Sequence, residues 1–391
     1  MMLSFRSWLR SSLVVAVLAF AAGAAVVAFA TGAGAATIDT MARQVILIDA
    51  TTNTVLFEKN ADQHMPTSSM SKVMTAYMVF DALKAGRLSL DDTLQVSERA
   101  WRMQGSKMFT ELGARIKVED LIRGMIIQSG NDASIVLAES LGGNEDAFAR
   151  QATKRARELG MKDSNFLNAT GWPSDEHYST CRDLATLAKA LIDNYPEFYH
   201  FYSERDFTYH GIKQGNRNPL LYRNMGVDGM KTGHTEVAGY GLIASALRDG
   251  RRLILVVNGL PNMQTRADEP ARLLEWGFRE FSVFNLLKPG EAVDDLPVWL
   301  GQQPSVTAVT GGGLRVTMAQ EERRGLKVTM QAQVPMPAPI TKGQTVGKLV
   351  ITAPGFITRE VPLVAGNAVE RLGFFGRLGA AAHHVVFGSK S

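Results

Sequence analysis

A serine hydroxyl becomes a nucleophile only when a nearby base takes its proton, and the chain offers such a pair in Ser69-Met70-Ser71-Lys72. Three residues apart at the start of a helical pattern, Ser69 and Lys72 fall on one face within hydrogen-bond reach. A capping serine followed by a solvated lysine would share that spacing. Lys72, however, sits among Met70, Val73 and Met74, and burial in such surroundings lowers a lysine pKa until the amine can accept a proton. Ser68 is one residue out of phase with Lys72, which leaves Ser69 as the candidate nucleophile.

Two more short motifs place polar groups where the pattern is apolar. Ser129-Gly130-Asn131 interrupts a helical stretch running from Val118 to Leu141, with Gly130 able to close one helix and Asn131 or Asp132 to cap the next. Lys231-Thr232-Gly233 lies in a strand-like run from Val227 to Thr235. Taken singly, a helix-helix turn and a strand-end lysine explain them. Their order along the chain, after Ser69 and Lys72, is what joins them.

The elements that must position these residues follow from periodicity and breakers. Val45 to Asp49 and Thr54 to Phe57 are β-branched runs around a turn, which predicts a hairpin. Pro66 to Ser69 supplies a breaker and caps for a helix that Gly86 ends. A polar helical region is expected up to about Tyr195. Strands are expected again over 227–235, 239–247 and 252–257, closed by an amphipathic helix from about Thr265 to Phe281. After Lys288-Pro289-Gly290 the composition turns to short strands punctuated by Gly and Pro, which predicts a small β-sandwich over 288–366. The tail 367–391 sets Leu372, Phe374, Phe375, Leu378 and Phe387 between basic residues, as an amphipathic segment lying on a membrane surface would.

At the other end, Arg6 and Arg10 precede an uncharged run from Leu13 to Ala30 that ends in small residues. This reads as a signal peptide over 1–36, cut near Ala35 or Ala36, with an uncleaved anchor as the alternative. Export follows from either. The serine-peptidase unit is then expected over 37–287.

Composition removes other classes. A formal charge of +4 spread over 391 residues, with no basic stripe, gives no footprint for nucleic acid. Cys181 is the only cysteine, so no intrachain disulfide forms and thiol-rich metal or redox sites are excluded. It opens an apolar helix from the polar stretch Tyr178 to Asp183, a capping-region position rather than a nucleophile's. The seven histidines contain no His-x-x-x-His pair, so neither a metal nor any other cofactor is expected.

A Ser-x-x-Lys, a Ser-x-Asn element and a Lys-Thr-Gly are together the signature of class A β-lactamases and penicillin-binding proteins. From about Thr40 onward the chain resembles the low-molecular-mass D-alanyl-D-alanine carboxypeptidases, a branch of the latter. The resemblance rests on Asp49 and its hairpin, Ser69 to Thr75, Ser129-Gly130-Asn131, Asn168-Ala169-Thr170-Gly171, His177 to Thr180, Lys231 to Thr235 with Ala238-Gly239-Tyr240, and Pro339 to Gln344. Many relatives have Pro-Ala-Ser where this chain has Thr67-Ser68-Ser69.

The resemblance implies an α+β fold: an antiparallel sheet flanked by helices, an all-helical subdomain carrying Ser129, and a trailing β-domain. It implies removal of the terminal D-alanine from peptidoglycan stem peptides through an acyl-enzyme on Ser69, with β-lactam antibiotics as covalent inhibitors. Lys72 would be the base, and Ser129 a proton relay bridging Lys72 and Lys231. Asn131 would hold the substrate amide. Lys231, Thr232 and Arg266 would hold the terminal carboxylate, Gly233 would admit the peptide backbone, and His234 would line the cleft and give its N–H to the oxyanion. A D,D-endopeptidase or a β-lactamase of the same fold is the alternative, and periplasm or the outer face of the inner membrane the expected place.

Overall fold

Five strands build the sheet that carries the Lys231 motif: β1 (Gln44–Asp49), β2 (Thr54–Lys59), β3 (Val227–Thr235), β4 (Gly239–Arg248) and β5 (Arg251–Leu260). In this computed structural model, which describes residues 38–354 and 358–379, they pair antiparallel in the order β2-β1-β5-β4-β3. The expected signal segment 1–36 and the end of the tail lie outside the described residues. All of β1 and the centres of β4 and β5 are buried without alternation, the mark of a sheet covered on both faces. One face, with Ile46, Ile48, Ile243, Ile254 and Val256, joins the helical core.

The longer helices are α1 (Lys72–Lys84), α2 (Val118–Ile126), α3 (Asn131–Gly142), α4 (Glu145–Glu158), α5 (Cys181–Asn194) and α6 (Met263–Glu280). Helix α6 covers the other face so closely at Gly277 that an added Cβ would stand 2.8 Å from Leu47 and 3.0 Å from Leu253. Helices α1 to α5, inserted between β2 and β3, form the helical layer. The pattern expected to stay helical to Tyr195 breaks between Leu159 and Thr180, where Gly160 and Gly171 take φ of +87° and +78° and Pro173 removes a donor. Two short antiparallel strand pairs, Thr93–Gln95 with Arg115–Lys117 and Asp206–Tyr209 with Ile212–Gly215, escaped the periodicity; strands of three or four residues are too short to show one.

Cys181 is the first residue of α5, behind the N-cap Thr180. It is buried against Met65, and burial pushes its thiol far up, so it is inert as a nucleophile.

The second unit begins at Glu280. Its strands are β6 (Phe281–Leu287), β7 (Ala292–Trp299), β8 (Ser305–Val309), β9 (Leu314–Ala319), β10 (Lys327–Gln331), β11 (Met336–Pro337), β12 (Thr345–Thr352) and β13 (Arg359–Ala365). β6 pairs with β9, and the other six form a sheet in the order β10-β12-β13-β8-β7-β11. Val316 and Met318 from the first sheet share one core with Val306, Leu349, Ile351 and Leu363 from the second, a sandwich held by packing alone. Residues 281–287, which sequence grouped with the catalytic unit, therefore belong to this one. At its far end Val369 is buried and bridges to Ile340, so the chain leaves the sandwich only past Leu372 and enters a helical turn over 374–379. No helix among the described residues is long and apolar enough to cross a membrane.

Candidate active site

Ser69 lies in the 3-10 turn Ser68–Ser71 that leads directly into α1. The turn rests on the edge strand: Ser68 takes a left-handed φ of +48° and its hydroxyl reaches Thr235 on β3, not Lys72. The partner of Lys72 is Ser69, its Oγ 2.9 Å from Nζ. Lys72 is 1% exposed, and its amine also reaches Asn131 Oδ1 at 2.7 Å and the Thr170 carbonyl at 2.8 Å. Burial, and then the charge of Arg217, pull its pKa down to about 7 against smaller opposing pulls from Asp132 and Glu145.

Two loops supply those acceptors. The Asn168 side chain accepts from the backbone N–H groups of Thr170, Gly171 and Trp172 at 3.1, 2.8 and 3.0 Å, which folds 168–172 into a tight turn aiming the Thr170 carbonyl at the amine. Buried Glu145 fastens the same turn by accepting from Ala169 N–H at 3.0 Å while pairing with Arg99. On the other side Asn131 is oriented by donating through Nδ2 to the Gln104 carbonyl at 2.7 Å, which leaves its oxygen for Lys72.

Ser129 follows α2 with φ +59°, and Gly130 N–H donates back to the Gly124 carbonyl at 2.8 Å. This is a left-handed helix stop, a place where glycine is usual; a serine there costs on the order of 1 kcal/mol, and its hydroxyl accepts from Lys231 Nζ at 3.0 Å. Lys72 already has three partners in Ser69, Asn131 and Thr170, so Ser129 is bonded to Lys231 and does not bridge the two amines in this state. Asp132 lies inside α3 and not at its N-cap, Gly130; its Oδ1 accepts from the first-turn Ala133 N–H at 2.9 Å, and its two oxygens also accept from Met108 and Thr110, which ties their loop against α3.

Lys231 is 2% exposed. Burial, with the charges of Lys72, Arg217 and Arg266, holds its pKa well below the usual lysine value. Arg266 faces Tyr240, 5.3 Å from the ring centroid, and its buried Nε has no hydrogen-bond partner. Thr232 is buried in the same strand, while exposed His234 stacks on Tyr240 with 4.0 Å between centroids. Gly233 also has a packing role that the sequence did not suggest. A Cβ there would stand 2.9 Å from the Thr67 carbonyl and 3.2 Å from Ser68 Cβ, so its bareness admits the nucleophile turn.

Sequence reasoning overlooked Arg217, which bonds Ser106 Oγ and bears on both lysines. Asx turns at Asn216 and Asn218 on either side hold it in place; that Asn-Arg-Asn run was the available signal. The Thr170 and Gln104 carbonyls carry no signal, because any residue supplies one.

Residues 30–262 match the family described as D-alanyl-D-alanine carboxypeptidase, and residues 281–371 match the C-terminal domain of penicillin-binding protein 5. The chain is similar to the D-alanyl-D-alanine carboxypeptidase DacC of Escherichia coli, with 39% identity over 86% of each chain. It is 37% identical to DacA of Haemophilus influenzae over 86% of this chain and 87% of that one. The solved structure of penicillin-binding protein 5 from Haemophilus influenzae superposes with a TM-score of 0.81 at 36% identity, covering 86% of this chain and all of that one.

Proposed function

The chain belongs to the D-alanyl-D-alanine carboxypeptidase family, and from that premise we propose that Ser69 removes the terminal D-alanine of peptidoglycan pentapeptide stems through an acyl-enzyme. β-lactams acylate the same oxygen and so inhibit covalently. The observation that carries this reading is the set of partners around Lys72. A neutral amine has two N–H bonds and one lone pair. Asn131 Oδ1 and the Thr170 carbonyl can only accept, so they take the two N–H bonds and the lone pair is left for the Ser69 proton.

Ser69 Oγ attacks the carbonyl between the two D-alanines as its proton passes to Lys72 Nζ. The oxyanion sits between the backbone N–H groups of Ser69 and His234. When the C–N bond breaks, the leaving D-alanine nitrogen takes the Ser129 hydroxyl proton, which is replaced from the Lys72 ammonium once the acylated Ser69 has freed that amine to turn toward Ser129, and D-alanine departs. Water then attacks the ester as its proton passes to Lys72, which returns it to Ser69 Oγ when the acyl C–O bond breaks and the shortened peptide leaves. Lys231, Thr232 and Arg266 receive the substrate carboxylate, and β3, as an edge strand, offers its unpaired backbone groups to the peptide. The second N–H of the Asn131 amide is placed for the substrate's amide carbonyl, with Gly233 keeping the strand and the nucleophile turn together.

The reaction belongs outside the cytoplasm, reached through the 1–36 segment. Phe374, Phe375 and Leu378 are 66, 85 and 62% exposed beside Arg371 and Arg377, which supports contact of the tail with a membrane surface. Mass analysis of pentapeptide-containing muropeptides tests the activity: loss of one alanine is expected. Opening of crosslinks without that loss would assign an endopeptidase, and rapid turnover of a chromogenic cephalosporin a β-lactamase.

A further inference from the structure

One buried titratable group beside the nucleophile has no part in the proton path. His177, 3% exposed, lies behind the Ser68–Ser71 turn. Its Nδ1 accepts from Leu167 N–H at 3.2 Å, so in the neutral ring the proton is on Nε2, which lies 2.8 Å from Ser71 Oγ and donates to it. With its oxygen accepting from His177, Ser71 donates its O–H to Thr67 Oγ1 at 2.5 Å. A single directed chain thus runs from Leu167 through His177 and Ser71 to Thr67, and its last two members bracket the turn that holds Ser69.

A second observation shows that this chain displaces an ordinary use of the serine. Ser71 is the N-cap residue of α1, yet its hydroxyl caps no backbone N–H. The loop carrying Thr170 presses on the same turn, for a Cβ on Gly171 would fall 1.7 Å from the Ser68 carbonyl and 3.1 Å from Ser71 Oγ. The turn is therefore clamped between that loop and the hydroxyl chain. Burial, with the nearby charge of Lys72, holds the His177 pKa down to about 4, which keeps the ring neutral and Nδ1 able to accept.

We propose that His177 is a positioning residue: acting through Ser71 and Thr67, it fixes the nucleophile turn so that Ser69 Oγ meets the Lys72 amine. This rests on Ser69 being the nucleophile.

The test is stopped-flow acylation of the full chain by a penicillin, separating the noncovalent Kd from the acylation rate. His177→Phe keeps the ring and its edge contact with Phe166 but removes both nitrogens; it should lower the rate about tenfold, the worth of one good hydrogen bond, with Kd unchanged. His177→Gln, which restores a donor toward Ser71, should recover most of the rate. Ser71→Ala should match His177→Phe, and the double variant should lose no more than either. A wild-type rate in His177→Phe, a glutamine variant no better than the phenylalanine one, or losses that multiply would overturn the proposal. If His177→Phe does not fold, Ser71→Ala decides: an unchanged rate overturns it. Should Ser69→Ala abolish labelling while His177→Phe reacts at full speed, only this inference fails; labelling of Ser69→Ala would fail the functional reading itself.

Discussion

Lys72, on α1, and Lys231, on β3, are both buried and both easier to deprotonate than a free lysine, yet their surroundings differ. Lys72 is surrounded by neutral oxygens at 2.7 to 2.9 Å that suit an amine in either protonation state. Lys231 has only Ser129 at 3.0 Å and the Thr232 carbonyl at 3.3 Å, and its charged neighbours Arg217 and Arg266 are of its own sign. Among the described residues none of these cations is ion-paired. A wall of unpaired positive charge out of water is costly and waits for an anion. Identical side chains thus sit in opposite surroundings, which is the basis on which we propose one as the base and the other as the receptor.

The sharpest way to break this comparison is to remove each lysine. Lys72→Met leaves Ser69 without a proton acceptor and should slow acylation by roughly a thousandfold, the range of a lost general base, with little change in noncovalent penicillin Kd; comparable losses at both steps would return Lys72 to a binding role. Lys231→Ala should cost about a hundredfold in kcat/KM toward a peptide ending in a free carboxylate, as expected for a charge-assisted contact. Toward the same peptide amidated at its end the variant should lose far less. Equal losses on both peptides would show that Lys231 serves the chemistry and not the carboxylate.

The pH profile gives the smallest and most diagnostic effect. Lys72 is active as the neutral amine, and its pKa of about 7 means that kcat/KM should fall with decreasing pH below that value, approaching tenfold per unit. A limb near the ordinary lysine value would show that burial does not poise the amine.

Much of this was legible in the sequence because the spacing is local. Ser69 and Lys72 share a helical turn, Ser129 marks a helix stop, and Lys231 to Gly233 share a strand, so periodicity alone put them in elements. The acceptors that make Lys72 a base were not legible: Thr170 acts through its backbone across 98 positions of sequence, and the aim of that carbonyl depends on Asn168 and Glu145. The packing role of Gly233 was not legible either, because the Thr67 turn that it lets in lies far from it in sequence. The hydroxyl chain from His177 escaped for the same reason as Thr170: its middle link, from His177 to Ser71, joins residues 106 apart.

The central claim is that Ser69, and not its neighbour Ser68, reacts. Fluorescent penicillin labelling of the wild type beside Ser69→Ala and Ser68→Ala tests it in one gel: the wild type and Ser68→Ala should label, with slow release, and Ser69→Ala should stay dark. Label retained in Ser69→Ala, or lost only in Ser68→Ala, would contradict it.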